Sequence, residues 1–89
     1  MPSAPKVTIY TTRFCPFCIR AKHILKAKGV NFDEIPVDGK PDLRAEMTRM
    51  AGGVHTVPQI WIDDFHVGGC TELMGLDASG QLNELLKSA

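Results

Sequence analysis

The spacing of apolar and polar residues changes several times along the chain, and each change marks an element. Lys6 to Tyr10 (Lys-Val-Thr-Ile-Tyr) alternates and is rich in β-branched residues, which predicts a strand. From Pro16 to Lys28 the period becomes helical. Cys18, Ala21, Ile24 and Leu25 form one stripe, while Arg20, Lys22, His23 and Lys26 lie around the other faces. Pro16 suits a first helical position, Lys26 and Lys28 suit a last turn, and Gly29 ends the run. Val30 to Val37 predicts a second strand. Asp38-Gly39-Lys40-Pro41-Asp42 is turn chemistry, with Pro41 opening a second helix whose stripe (Leu43, Met47, Met50, Ala51) is expected in the core and stops at Gly52-Gly53. Pro58 to Ile62 and His66-Val67 read as short strands joined at Asp63-Asp64-Phe65, a hairpin. Gly68-Gly69 turns the chain into a last helical region. There Leu73 and Leu76 precede a break at Asp77 to Gly80, and Leu82, Leu85 and Leu86 follow it.

The predicted order is β-α-β-α-β-β-α, without repeats or linkers. A strand–helix–strand opening implies a right-handed crossover and parallel pairing, and the hairpin adds an antiparallel edge. The expectation is an α/β, thioredoxin-like arrangement: a mixed four-stranded sheet flanked by helices on both faces. With 89 residues the chain has room for one domain, 1–89, of which 1–5 is expected to be a flexible N-terminus. Trp61, between Ile60 and Ile62, is expected in the core on the opposite face of the sheet from its neighbours.

Composition narrows the function classes. Ten basic and ten acidic residues balance to zero, which argues against a nucleic-acid partner. No apolar run approaches the ~18–20 residues that span a bilayer, so no membrane association is expected. The N-terminus runs into a strand pattern without a secretory h-region. Three cysteines are too few, and odd in number, for a secreted disulfide framework. These features together predict a reducing, cytoplasmic location.

Two of the cysteines form the Cys15-Pro16-Phe17-Cys18 segment at the predicted helix start. Residues three apart on a helix share a face, with Cβ atoms roughly 5–6 Å apart. Small adjustments bring such a pair into disulfide reach, which requires Cα atoms within ~7 Å. The first cysteine would cap the helix, where free N–H groups and the positive dipole end stabilise a thiolate, and Arg13 adds a cation nearby. Cys18 faces the apolar stripe and is expected to be more buried. Cys15 is therefore the expected nucleophile and Cys18 the resolving thiol. Two other readings stay open for a Cys-x-x-Cys pair: inert buried thiols, and zinc, for which His66 and Cys70 would complete a four-ligand set. Zinc ligands usually come from knuckle-like turns rather than a helix start, so no metal is expected.

Three motifs occur together: Cys15-Pro16-Phe17-Cys18 followed by Arg20-Ala21-Lys22, then Thr56-Val57-Pro58-Gln59-Ile60, then Gly68-Gly69-Cys70-Thr71-Glu72-Leu73. In this order and spacing the whole chain resembles the glutaredoxin family, in particular the short bacterial dithiol glutaredoxins. The resemblance implies a glutathione-dependent disulfide oxidoreductase acting on disulfide-containing or glutathionylated proteins, with a ribonucleotide reductase as one acceptor by family analogy. It implies a monomer that uses glutathione as co-substrate. It also implies a cis Pro58, with the Val57 backbone pairing the cysteinyl part of glutathione. Thr56, Phe17 and Gly69 line the same site, the N–H groups of Cys70 and Thr71 take the γ-glutamyl carboxylate, and Glu72 takes the ammonium. Arg13 is assigned the glycyl carboxylate. Some members instead bridge an iron–sulfur cluster between two protomers, and Pro16, which stiffens the loop, argues against that alternative.

The chain also departs from the family pattern. Thr12 stands where a basic residue is usual, Val54 and His55 replace two basic residues before Thr56, Thr71-Glu72 replaces a common Asp-Asp, and Phe17 replaces a tyrosine. With fewer fixed cations near the glycyl carboxylate, weaker glutathione binding is expected. The remaining thiol, Cys70, is read as a small residue fitting a tight turn. Lys22, Lys26 and Lys28 read as a solvated basic face, and His23, His55 and His66 carry no assigned role.

Overall fold

The computed structural model describes residues 5–87; Met1 to Ala4, where most of the expected flexible N-terminus falls, lie outside that range. Eight elements follow one another: β1 (Val7–Thr11), α1 (Pro16–Ala27), β2 (Phe32–Pro36), α2 (Pro41–Met50), β3 (Gln59–Ile62), β4 (Phe65–Gly68), α3 (Cys70–Ser79) and α4 (Gln81–Leu86). The sheet runs β2-β1-β3-β4. β1 pairs parallel to β2, from Val7 opposite Phe32 to Thr11 opposite Pro36. It pairs antiparallel to β3, from Val7 opposite Ile62 to Tyr10 opposite Gln59. β3 and β4 close the hairpin, with an irregularity between Ile60 and Trp61. This is the mixed, thioredoxin-like sheet that the pattern predicts.

The alternation along β1 and β3 divides the core in two. Val7, Ile9, Ile60 and Ile62 face α1, α3 and α4, meeting Ala21, Leu25, Leu73 and Leu82 in the larger cluster. Tyr10 and Trp61 face α2, meeting Val37, Met47 and Ala51 in the smaller one. Trp61 is thus a core residue on the opposite face, as expected. Its ring meets Tyr10 edge-on at 5.4 Å and stacks on His66 at 4.7 Å. His66 in turn bonds to Gln59 at 2.7 Å, which gives the buried amide a partner.

Three local expectations are corrected. In α2 only Met47 is fully buried and Ala51 follows it in, whereas Leu43 is exposed and Met50 is 43% exposed. The edges of the apolar stripe therefore stay open to solvent, although the Met50 sulfur still meets the Tyr10 hydroxyl at 4.0 Å. The final break is sharper than predicted: α3 continues through Asp77 to Ser79, and the chain turns at Gly80 alone, whose φ of 82° is left-handed. The basic face of α1 is partly engaged. Lys22 pairs with Glu34 at 3.0 Å, and Lys28 reaches Asp77 at 2.7 Å and Asn83 at 2.8 Å, bracing α3 and α4.

Candidate active site

Cys15 lies just beyond the end of β1, in extended conformation (φ −128°, ψ 102°), and is the N-cap of α1. Pro16 follows at the first helical position, where its missing N–H costs nothing. The Cys15 sulfur accepts the Cys18 N–H at 3.1 Å, so a thiol sulfur does the capping that serine or aspartate usually provides. Cys15 is 8% exposed and Cys18 only 1%. Burial, then the hydrogen bond with Cys15, pushes the Cys18 thiol up to about 12. The pair is therefore asymmetric: one sulfur at the helix end, the other protonated within the apolar stripe.

A second segment meets this helix end from 42 residues away. The Val57–Pro58 peptide bond is cis, and the Val57 carbonyl lies 3.9 Å from the Cys15 sulfur. The β1–β3 ladder ends at Gln59, so Val57 stands beyond the paired stretch with its backbone turned toward the thiol. Gln59 donates to the Thr56 carbonyl at 3.0 Å, and Arg44 of α2 donates to the His55 carbonyl at 3.0 Å, fixing the loop from both sides.

The third segment is the start of α3. Phe17, Thr56, Val57, Pro58, Gly69, Cys70, Thr71 and Glu72 line one hollow of about 180 Å³. The first backbone N–H groups of α3 are there for an anion to use. Gly68 has φ 107°, and a Cβ there would stand 3.0 Å from Glu72 Cγ; at Gly69 a Cβ would stand 3.3 Å from the Pro58 carbonyl oxygen. The two glycines thus let the turn close onto both Glu72 and the proline loop. Glu72 accepts the Gly69 N–H at 2.7 Å, which ties down one carboxylate oxygen. Cys70 is buried at the head of the helix, and burial raises its thiol, with the Arg20 charge acting in the opposite direction.

Eight of the nine residues assigned to glutathione by resemblance therefore share one hollow beside Cys15. Arg13 does not. It lines a separate hollow of about 380 Å³ with Thr11, Thr12, Lys22, Glu34, Pro36, Asp38 and Lys40, and its N–H donates to Asp38 at 2.8 Å. His66, needed for a four-ligand zinc set, is held against Trp61 and Gln59 on the α2 face. Among the described residues no three His, Cys, Asp or Glu side chains gather into a metal-holding group. Another hollow, of about 800 Å³, is lined by none of the cysteines; it lies over the sheet between Lys6 and Trp61, beside Met50 of α2. Arg44 and Asp38, which hold the loops flanking the thiol, went unassigned from the sequence. Their partners lie 11 and 25 residues away, beyond the reach of any local pattern.

A thiol capping a helix, a protonated partner one turn on, and a cis-proline loop facing the capping thiol are features of disulfide-exchange proteins. The Glutaredoxin family model matches residues 7–67. The chain is 58% identical over 84 residues to a glutaredoxin of Pseudomonas aeruginosa, covering 94% of this chain and 99% of that one. Its structure is similar to the solution structure of a Brucella melitensis glutaredoxin (TM-score 0.84, 48% identity, covering 96% and 91% of the two chains). It is similar also to the crystal structure of a buckwheat glutaredoxin–glutathione complex (TM-score 0.83, 26% identity, covering 92% and 76%). This chain belongs to the glutaredoxin family, whose members are generally thiol–disulfide oxidoreductases. Among the described residues, no helix is long and apolar enough to cross a membrane.

Proposed function

We propose that this protein is a glutathione-dependent oxidoreductase that reduces protein disulfides and glutathione mixed disulfides, acting as a monomeric single domain in the cytoplasm. The observation that carries the reading is the hollow beside Cys15. A loop carbonyl (Val57), a cis proline and a helix N-terminus with free N–H groups meet there within reach of one capping thiol. Glutathione is an extended acidic peptide with a central cysteine. Its cysteinyl backbone suits Val57, and its γ-glutamyl carboxylate suits the Cys70 and Thr71 N–H groups. The buckwheat relative, solved as a glutathione complex, supports the same ligand. Glu72 retains one carboxylate oxygen for the γ-glutamyl ammonium. Arg13 is left out of this set, since it lines the neighbouring hollow.

The chemistry then runs in two forms. With a glutathione mixed disulfide, the Cys15 thiolate attacks the glutathione sulfur, the Cys15–glutathione disulfide forms, and the protein sulfur leaves as a thiolate that takes up a proton. A second glutathione attacks that disulfide, giving oxidised glutathione and restoring Cys15. With a protein disulfide, Cys15 bonds to one protein sulfur and releases the other. Cys18 loses its proton and attacks the Cys15 sulfur, freeing the substrate and closing Cys15–Cys18. Two glutathiones then reduce that bond to two thiols and become oxidised glutathione. Protein acceptors, a ribonucleotide reductase among them, would enter by this second form.

The test is turnover of the mixed disulfide of glutathione and 2-mercaptoethanol, with glutathione, glutathione reductase and NADPH supplying electrons. The wild type is expected to turn it over, Cys15→Ser to be inactive, and Cys18→Ser to keep this activity while losing reduction of a protein disulfide. An inactive wild type, or equal loss in the two variants, overturns the reading.

A further inference from the structure

Phe14 is 90% exposed, although it directly precedes the capping thiol, and it lines neither the hollow beside Val57 nor the one beside Arg13. A scattered exposed apolar residue is ordinary. This one is not scattered: of the eight large apolar side chains exposed among the described residues, Phe14, Phe17 and Ile19 fall within four residues of Cys15. Phe17, 60% exposed, has one side in the glutathione hollow, which leaves Phe14 as an apolar shoulder on a side of the thiol that glutathione does not occupy. Nothing in the fold uses its ring. What can cover it is set by its position one residue from Cys15: a protein chain bonded to that thiol is large enough to lie against the segment that carries it.

We propose that Phe14 is a docking contact for protein disulfides, selecting substrates that carry an apolar side chain next to the cysteine that bonds to Cys15. The inference rests on the oxidoreductase reading and adds a substrate class to it. In the mixed disulfide the substrate cysteine's Cα must lie within ~7 Å of the Cys15 Cα, which brings the residue adjoining that cysteine within side-chain reach of Phe14. Glutathione itself, seated on the other side, does not need the ring. Small and protein substrates therefore separate at this residue.

The experiment compares two disulfide-linked peptide dimers, Ser-Ala-Leu-Cys-Ser-Ala and Ser-Ala-Ser-Cys-Ser-Ala, reduced by the protein with glutathione, glutathione reductase and NADPH. Covering about a quarter of an aromatic ring is worth roughly a fivefold gain in kcat/KM, so the wild type is expected to prefer the leucine peptide by about that factor. Phe14→Ser is expected to bring the two peptides to parity while leaving turnover of the glutathione–mercaptoethanol disulfide unchanged, and Phe14→Trp to restore the preference. A peptide ratio that is the same with and without the ring overturns the docking contact. So does a preference lost equally with the small substrate, or a change in sedimentation showing that Phe14 instead joins two copies of the chain. A wild type inactive on the small mixed disulfide overturns the underlying reading instead, so the two failures are distinguishable.

Discussion

At the scale of single residues, the two cysteines of one tetrapeptide have different surroundings, because one lies at the edge of the helix and the other within its buried stripe. Cys15 caps the helix, and Cys18 sits among Ala21 and Leu25 with its thiol held near 12 by burial and by its hydrogen bond with Cys15. Burial is permanent, but the two contributions that Cys15 makes, a hydrogen bond and a charge, disappear once its sulfur is bonded to a substrate. In the proposed resolving step Cys18 would thus be easier to ionise than in the resting protein. It follows that native reduced protein treated with iodoacetamide at neutral pH should be labelled first at Cys15, and at Cys18 and Cys70 only after unfolding. Peptide mass spectrometry reads this directly. Labelling of Cys18 as fast as Cys15 would contradict the asymmetry.

At the scale of elements, the site depends on how helices begin and where they stop. α1 begins on a thiol and a proline, and α3 begins on a glycine pair whose missing side chains admit Glu72 and the Pro58 carbonyl. The separation of α3 from α4 rests on Gly80 in left-handed conformation, with Lys28 bracing both helices from the end of α1. Space does not constrain Gly80, since a Cβ there meets nothing within 4 Å; its backbone angle does. Gly80→Ala should therefore destabilise by about 1 kcal/mol, a fall of roughly 4–8 °C in Tm for a domain of this size. Gly75, inside α3 and equally open, is the control: Gly75→Ala should stabilise by about 0.5–1 kcal/mol. Thermal unfolding followed by circular dichroism checks both signs, and a shift in the same direction for the two variants would refute the argument.

At the scale of the molecule, a narrow sheet with unequal cover puts the thiol at one end and leaves part of its α2 face open. Glu34 on the edge strand β2 is held by the Thr11 hydroxyl at 2.7 Å and by Lys22 at 3.0 Å, joining β2, β1 and α1 close to where β1 delivers the reactive loop. These partners, Thr11 first and Lys22 next, lower its carboxyl below the ordinary range. The folded protein keeps this carboxylate ionised to lower pH than the unfolded chain does. Its contribution to stability is complete above the unfolded chain's carboxylate range and is lost as pH falls through the folded value. The Tm difference between wild type and Glu34→Gln should be largest near neutrality and shrink on acidification. A difference that grows toward acid would reverse the sign and exclude this role.

The elements and the placing of the cysteine pair were legible because their signals are local. A proline after Cys15 marks a helix start, alternation marks β1 and β3, and paired glycines before Cys70 mark a turn; each works through neighbours on the same few residues of chain. Where the cover of the sheet ran out was not legible. Met50 and Leu43 keep the spacing of core residues but stay partly open to solvent, because periodicity reports which face a residue is on rather than how much lies against it. The break at Gly80 was placed too early for a similar reason, since Asp77 stays helical while paired with Lys28 from another helix. The sequence by itself determined the order of elements, the two faces of the sheet and the placing of Cys15 at the helix start with Cys18 in its buried stripe. Only the tertiary structure decided that Val57 and the head of α3 reach Cys15 while Arg13, two residues from it, faces a different hollow. Closeness along the chain sets which atoms share a turn, but the register of β1 against β3 and the packing of α3 on the sheet set which turns share a site.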